Sequence, residues 1–146
     1  TYLCSRAVAR HMVVRGGPGK IISISSGAGK RGIARYAVYC ASKFAIVGFT
    51  QALAQELAPQ RINVNAICPG LVDTERVAFI SAALVPEGQS SQEHRALMIQ
   101  ERNQRVPLGR VASGDDIAKM AAFLASSESD YMTGLSISVS GGAEMS

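Results

Sequence analysis

Residues 21–70, IISISSGAGKRGIARYAVYCASKFAIVGFTQALAQELAPQRINVNAICPG, decide how this chain folds. The stretch opens with Ile21 to Ser25, a short uncharged β-rich run, which predicts a strand buried on both faces. A glycine-bearing loop, Gly27 to Gly32, follows. From about Tyr36 to Ala58 apolar and small residues recur at helical spacing, until Pro59 stops the pattern. Ile62 to Ile67 reads as a second strand, ended by Pro69-Gly70. Strand, long helix, strand is a βαβ crossover, so the two strands are expected to run parallel.

Working outward, residues 2 to about 15 predict an amphipathic helix. Leu3, Ala7, Val8, Met12 and Val13 are spaced for one face, and Gly16-Gly17-Pro18-Gly19 ends it. Residues 75 to 105 mix small, polar and charged side chains with patchy periodicity, HRALMIQERNQR (94–105) being the most helical part. An insertion this long at a strand's carboxyl end is expected to be a functional lid. Ser113 with Asp116 resembles a capping box opening a helix over Ile117, Ala118, Ala121, Ala122 and Leu124. Leu135, Ile137 and Val139 alternate with serines in a last strand, ended by Gly141-Gly142. Together these elements predict an α/β fold with a doubly wound, Rossmann-like parallel sheet. Residues 1–146 form part of a single domain, with the lid over about 75–105.

Of the 146 residues, 47% are hydrophobic and 18% charged, which supports a packed core and excludes disorder. No run of about eighteen apolar residues occurs, and the start TYLCSRAVARHMVVRGG is too polar for a signal-peptide core. A cytoplasmic protein without a membrane partner is expected. The net charge of +4 suggests an anionic partner, but the basic residues are scattered and no aromatics interleave with them. They read as solvated surface, with no nucleic-acid partner. Cys4, Cys40 and Cys68 are odd in number, widely spaced and without a CxxC pair or histidine cluster, so they read as reduced, mostly core thiols and not as metal ligands. The sequence starts at Thr1 directly in helical periodicity and reads as a piece of something longer.

Tyr39 and Lys43 lie one helical turn apart, so their side chains share a face, and Ser26 closes a strand thirteen residues before the tyrosine. The three can converge at a strand's carboxyl end, where open parallel sheets hold their ligands. A phenol ordinarily titrates near pH 10. A neighbouring ammonium favours its anion, and a serine hydroxyl can bond the same substrate oxygen that the phenol protonates. This set suits carbonyl and alcohol chemistry. The Tyr-Lys spacing alone would also fit a tyrosine packed at a helix end beside a solvated lysine. Ser26 at its strand end, the small residues around YCASK and the ICPGLVDT stretch after the next strand outweigh that reading.

On these residues the chain resembles the carboxyl-terminal half of a classical short-chain dehydrogenase/reductase. The matching stretches are ISS ending at Ser26, Tyr39-Cys40-Ala41-Ser42-Lys43, LAQELAP at 53–59, INVNAICPGLVDT at 62–74 and DYMTGLSISVSGG at 130–142. They cover nearly the whole chain except the lid. The resemblance implies that Tyr39 is the general acid/base and that Ser26 orients and polarises the substrate oxygen. Lys43 would assist Tyr39 and bind the nicotinamide ribose, while NAD or NADP carries the hydride. It further implies cofactor contacts at Tyr39, Lys43, Pro69, Gly70, the Val72 backbone and Thr74, and substrate contacts at Ser26, Ala28 and Tyr39. A strand-ending turn would equally account for Pro69-Gly70.

The family's glycine-rich fingerprint, first strands and Asn-Asn-Ala-Gly stretch are absent from this sequence, and the catalytic asparagine would fall just before Thr1. Both NAD and NADP stay open, because the residue that reads the ribose 2′ position belongs to that absent half. Ser140 stands where relatives usually carry aspartate. Gly27-Ala28-Gly29-Lys30-Arg31-Gly32 matches G-x-G-x-x-G, but no helix opens within it and no acid follows about twenty residues on; it reads as a loop bordering the substrate pocket. Gly16 to Lys20 lacks the serine or threonine of a P-loop, and Ser26 lacks the flanks of a nucleophile elbow. His11, His94, Glu75 and Arg76 read as solvated.

Two functions of different class fit: an oxidoreductase acting on a secondary alcohol or ketone, or a catalytically inactive fragment or scaffold on the same fold. The resemblance is nearest to polyol, sugar-alcohol or diol dehydrogenases, then to enzymes of small hydroxy ketones, then to 3-oxoacyl reductases. It also implies a homo-oligomer, dimer or tetramer, built on the opening helix and the Tyr39 helix. Ala41, Ala45, Gly48 and Ala52 would permit that packing, and a buried face within the chain would explain them too.

Overall fold

A computed structural model describes residues 1–145; Ser146 and the side chain of Arg76 lie outside the described residues. The strand over Ile62–Pro69 (β2) is the centre of a three-stranded sheet, flanked by Gly19–Ile24 (β1) and Ser136–Val139 (β3) in the order β1-β2-β3. Both pairings are parallel, with Ile21 opposite Val64 and Ile67 opposite Ile137. The long helix over Ala37–Leu57 (α2) joins β1 to β2, as the apolar spacing predicts. By length and composition Ala37–Gln60 could also cross a membrane. Here it is the crossover of a parallel pair, packed on the sheet.

Parallel strands covered on both sides bury every side chain, and β2 does so from Ile62 through Cys68 except for a half-buried Asn63. β1 departs from that expectation. Ile21 and Ser23 are buried, but Ile22 is half-buried and Ile24 exposed, because β1 pairs on one side only among the described residues. The opening helix over Tyr2–Arg15 (α1) also turns differently from its apolar spacing. Small Ser5 and Ala9 face the sheet, with Met12 packed on a core of Ala9, Ile21, Ala54, Leu57, Ile62 and Val64. Leu3, Val8 and Val13 point outward instead. Small residues allow the closest approach of helix to strand, which leaves the larger apolar ones for the opposite side.

Residues 75–105, expected as a lid, hold two helices, Glu75–Ala83 (α3) and Ser91–Arg105 (α4), where the sequence pattern is patchy. α4 starts on a full capping box, with Ser90 accepting from Glu93 N–H and the Glu93 carboxylate accepting from Ser90 N–H. The helix over Gly114–Ala125 (α5) opens on the expected Ser113–Asp116 box. There Arg110 binds both Asp116 carboxylate oxygens at 2.7 and 2.9 Å and holds that carboxyl far below the usual range. Cys40 and Cys68 are buried free thiols and Cys4 is an exposed one, in keeping with mostly core thiols.

The asparagines of INVNA explain how the last strand finds its place. Asn65, 1% exposed, donates from Nδ2 to the Met132 carbonyl at 2.8 Å and accepts from Leu135 N–H at 3.0 Å. Asn63 donates to the Asp130 and Met132 carbonyls. These bonds deliver residues 130–135 to the β2 edge just ahead of β3. In the complete gene product, Asn65→Ala is expected to lower the unfolding free energy by roughly 1–3 kcal/mol in urea denaturation, since it orphans the Leu135 N–H and removes one of the two donors to the Met132 carbonyl. A loss below about 0.5 kcal/mol would mean that the ladder alone holds β3.

Candidate active site

The site is built where β1 ends against the start of α2. Ser25 N–H donates to the Ile67 carbonyl at 2.8 Å, extending the β1–β2 ladder one residue past the strand. Ser26 stays extended and caps a 3-10 turn over Gly27–Gly29, its Oγ accepting from Ala28 N–H at 3.2 Å. That bond uses the serine as acceptor and leaves its proton to donate elsewhere. Ala28 itself is 3% exposed, so what it presents here is that backbone N–H.

Next to Ser26, the Ser25 hydroxyl donates to the Lys43 carbonyl at 2.9 Å, tying the loop to the second turn of α2. Gly29 makes the approach sterically possible. A β-carbon there would lie 2.5 Å from Ser25 Oγ and 2.8 Å from the Lys43 carbonyl oxygen. Gly27 and Gly29 of the G-x-G-x-x-G look-alike therefore serve packing, whereas Gly32 faces open space, and the helix begins only at Ala37.

Tyr39 sits in the first turn of α2, 37% exposed, with the Tyr36 ring edge-on at 6.2 Å. Lys43 lies one turn on, as the spacing requires. Its Nζ is 5.7 Å from the Tyr39 ring centroid and donates to the Ile24 carbonyl at 3.3 Å. One strand end thus leads into Ser26 and anchors the ammonium that neighbours Tyr39.

The second bank of the site follows β2. Gly70 N–H donates to the Val139 carbonyl at 3.0 Å, and a β-carbon on Gly70 would meet Ser140 at 3.0 Å. Pro69-Gly70 is therefore a close crossing of β2 and β3 as well as a strand end. Ala112 then brackets Val72 by bonding Leu71 O and Asp73 N, which turns the Val72 N–H and C=O away from it. Among the described residues those two groups have no partner, and the Thr74 side chain makes no cap bond to α3. A carboxamide, with one acceptor and two donor protons, fits a free backbone N–H and C=O of this kind. Arg95 of α4 pairs with Asp73 at 2.7 Å, linking α4 to this segment.

Behind the site, burial pushes the Cys68 thiol upward, so it stays protonated and takes no part as a nucleophile. His11 is exposed, His94 half-buried, and Glu75 is exposed at the start of α3. No group of three or more potential metal ligands forms among the described residues. Sequence reasoning had named Ser26 but not its neighbour Ser25, although the doubled serine was visible. Gly29 carried no signal beyond a misleading motif.

Residues 1–144 match the family described as enoyl-(acyl carrier protein) reductase. Galactitol 2-dehydrogenase of Agrobacterium fabrum is 44% identical over 142 residues, 97% of this chain and 54% of the relative. Sorbitol dehydrogenase of Cereibacter sphaeroides is 39% identical over 151 residues, 100% of this chain and 56% of the relative. Among solved structures, ElxO with NADP bound superposes with a TM-score of 0.80 at 27% identity, covering 97% of this chain and 52% of that one. The chain spans about half the length of the curated relatives it matches.

Gly29→Ala tests the packing that joins the two halves of the site. In the complete gene product it is expected to cost about 1–3 kcal/mol of stability, read as a lower Tm, because the added methyl meets backbone that cannot yield. An unchanged Tm would show that the loop is not pressed against α2.

Proposed function

Because the chain belongs to the short-chain dehydrogenase/reductase family, we propose that the protein carrying it is an NAD(P)-dependent oxidoreductase interconverting a secondary alcohol and its ketone. The observation that carries this reading is the joining of Ser26, Tyr39 and Lys43 at the carboxyl end of β1, fastened by the Ser25–Lys43 hydrogen bond. Residues 1–146 are then the carboxyl-terminal part of one domain, with α3 and α4 as its substrate lid.

Oxidation removes a proton from the alcohol oxygen and a hydride from its carbon. Tyr39 takes the proton, and in reduction it returns it to the same oxygen. Ser26 donates its free hydroxyl proton to that oxygen and holds it in place, with Ala28 N–H fixing the serine. The Lys43 ammonium lies close enough to steady negative charge on the phenol, and it would hold a ribose hydroxyl of the cofactor. NAD or NADP, when bound, accepts the hydride. Pro69 and Gly70 would lie against the nicotinamide, the free Val72 backbone groups would hold its carboxamide, and Thr74 would reach the carboxamide or a phosphate. A bound NADP in ElxO supports the cofactor class.

For substrate, a polyol or sugar alcohol is supported by two relatives named for galactitol and sorbitol. The complete gene product should reduce NAD or NADP with a hexitol, read as nicotinamide absorbance, and Tyr39→Phe should lower kcat by about 10²–10⁴-fold. An unchanged rate in that variant sinks the assignment. A folded parent inactive on hexitols, small diols and 3-oxoacyl thioesters would favour the scaffold reading.

The outward sides of α1 and α2 support a homodimer or homotetramer. Ala41, Ala45, Gly48 and Ala52 are all exposed, so no face within this chain accounts for them. Beside them a groove of about 640 Å³ is lined by Tyr2, Val13, Val14, Phe49 and Leu53, among others. A second copy would cover both features. Ala45→Arg is expected to shift the mass in light scattering toward monomer; an unaltered mass contradicts this interface. Three free thiols support a reducing compartment such as the cytoplasm.

A further inference from the structure

The end of α4 is fixed from two sides. Val111 N–H donates to Asn103 Oδ1 at 2.7 Å, and Leu108 N–H donates to the Gly141 carbonyl at 3.1 Å. Gly141 and Gly142, at positive φ of 63° and 89°, turn so close beneath it that a β-carbon on Gly141 would lie 2.7 Å from Val106. Past that turn the Ser140 hydroxyl accepts from Glu144 N–H at 3.1 Å and donates to the Glu144 carbonyl at 3.2 Å. The Glu144 carboxylate, buried at 9% exposure, then faces Arg31 at a long 3.5 Å. Arg31 is placed by its own N–H, which donates to the Gly27 carbonyl.

Between these segments and Gly70-Leu71 lies a cavity of about 530 Å³. Three guanidiniums line it: Arg31 from the loop after β1, and Arg102 and Arg105 from the last turn of α4. Free carbonyls at a helix end favour cations, which accounts for the two arginines of α4. It does not account for Arg31, which comes from another segment to the same space. Among the described residues Arg102 and Arg105 have no ion-pair partner, and Arg31 has only the long contact to Glu144. Three positive charges against one carboxylate leave the wall two positive charges in excess, and like charges brought together repel. Beside them Ile33 and Leu71, each 37% exposed, and half-buried Val106 add apolar surface.

We propose that this cavity binds an organic phosphate, with the arginines taking the phosphate group and an apolar carbon part lying on Ile33, Leu71 and Val106. A phosphomonoester carries about 1.5–2 negative charges at neutral pH, which matches the excess on the wall. Its oxygens accept the paired N–H groups that a guanidinium presents. A bare phosphate would leave most of the cavity empty, whereas its volume is that of a site for a small organic molecule. Ser26, Tyr39 and Lys43 do not line this cavity, so the proposal stands apart from the alcohol-oxidising reading.

The test is calorimetric titration of the complete gene product at low ionic strength with phenyl phosphate, inorganic phosphate and phenol. It compares the parent with the double variant Arg102→Gln/Arg105→Gln; Arg31 stays, since it also faces the buried Glu144. The parent is expected to bind phenyl phosphate about 10-fold more tightly than inorganic phosphate and to show no binding of phenol. The double variant is expected to lose about 10-fold or more in phenyl phosphate affinity, with a Tm near the parent's. Equal affinity in parent and double variant would put the phosphate elsewhere, as in a cofactor site, and overturns the proposal. A parent that does not bind phenyl phosphate overturns it too. Inorganic phosphate bound as tightly as phenyl phosphate, or phenol bound as well, overturns the choice of an organic phosphate. The oxidoreductase reading survives each of these results.

Discussion

The Ser25 hydroxyl bonded to the Lys43 carbonyl is the contact on which the candidate site depends. A strand end and a helix start are each rigid, but their relative position is not set by either. This bond, with Gly29 pressed against the same turn of α2, sets it. Ser26 then stands one residue beyond the lock, and Tyr39 and Lys43 stand within one turn of it. Nothing in that contact takes part in chemistry. It works by holding three side chains from two elements in a single arrangement, as preorganised acid/base chemistry requires.

The same economy governs the far side of the sheet. Asn63 and Asn65 spend their amides on residues 130–135 and so bring β3 to the edge of β2. Its close crossing at Gly70 and Ser140 then directs the chain after β3 back toward Ser26. The candidate site is thus bordered by segments far apart in sequence: the β1 end with the start of α2, the segment after β2, α3 and α4, and the residues after β3. Only the first of these supplies the proposed acid/base set; the others supply free backbone groups, an ion pair to α4 and a buried carboxylate.

Much of this was legible in the chain because local chemistry carries it. The β1–α2–β2 crossover followed from periodicity and from Pro59, and the Ser113–Asp116 box from spacing alone. The Ser26, Tyr39 and Lys43 set was legible because two of its members share a helical face. What was not legible depended on neighbours. The open face of β1 follows from what pairs with it, and the outward turn of Leu3, Val8 and Val13 follows from small Ser5 and Ala9 taking the sheet side. Of α4, the helical pattern over 94–105 was legible, but the Ser90–Glu93 box that starts it three residues earlier went unread. Glu144 had no signal at all, since its placement needs a turn with two left-handed glycines and a serine to hold it.

The central claim is that Ser26 and Tyr39 act on one substrate oxygen as a unit. The most direct measurement is kcat/KM for alcohol oxidation by the complete gene product in Ser26→Ala, Tyr39→Phe and the double variant. Residues that act together are non-additive, so the double variant is expected to lose little more than the worse single one. Losses that multiply would mean that the two side chains act independently, and would contradict the account.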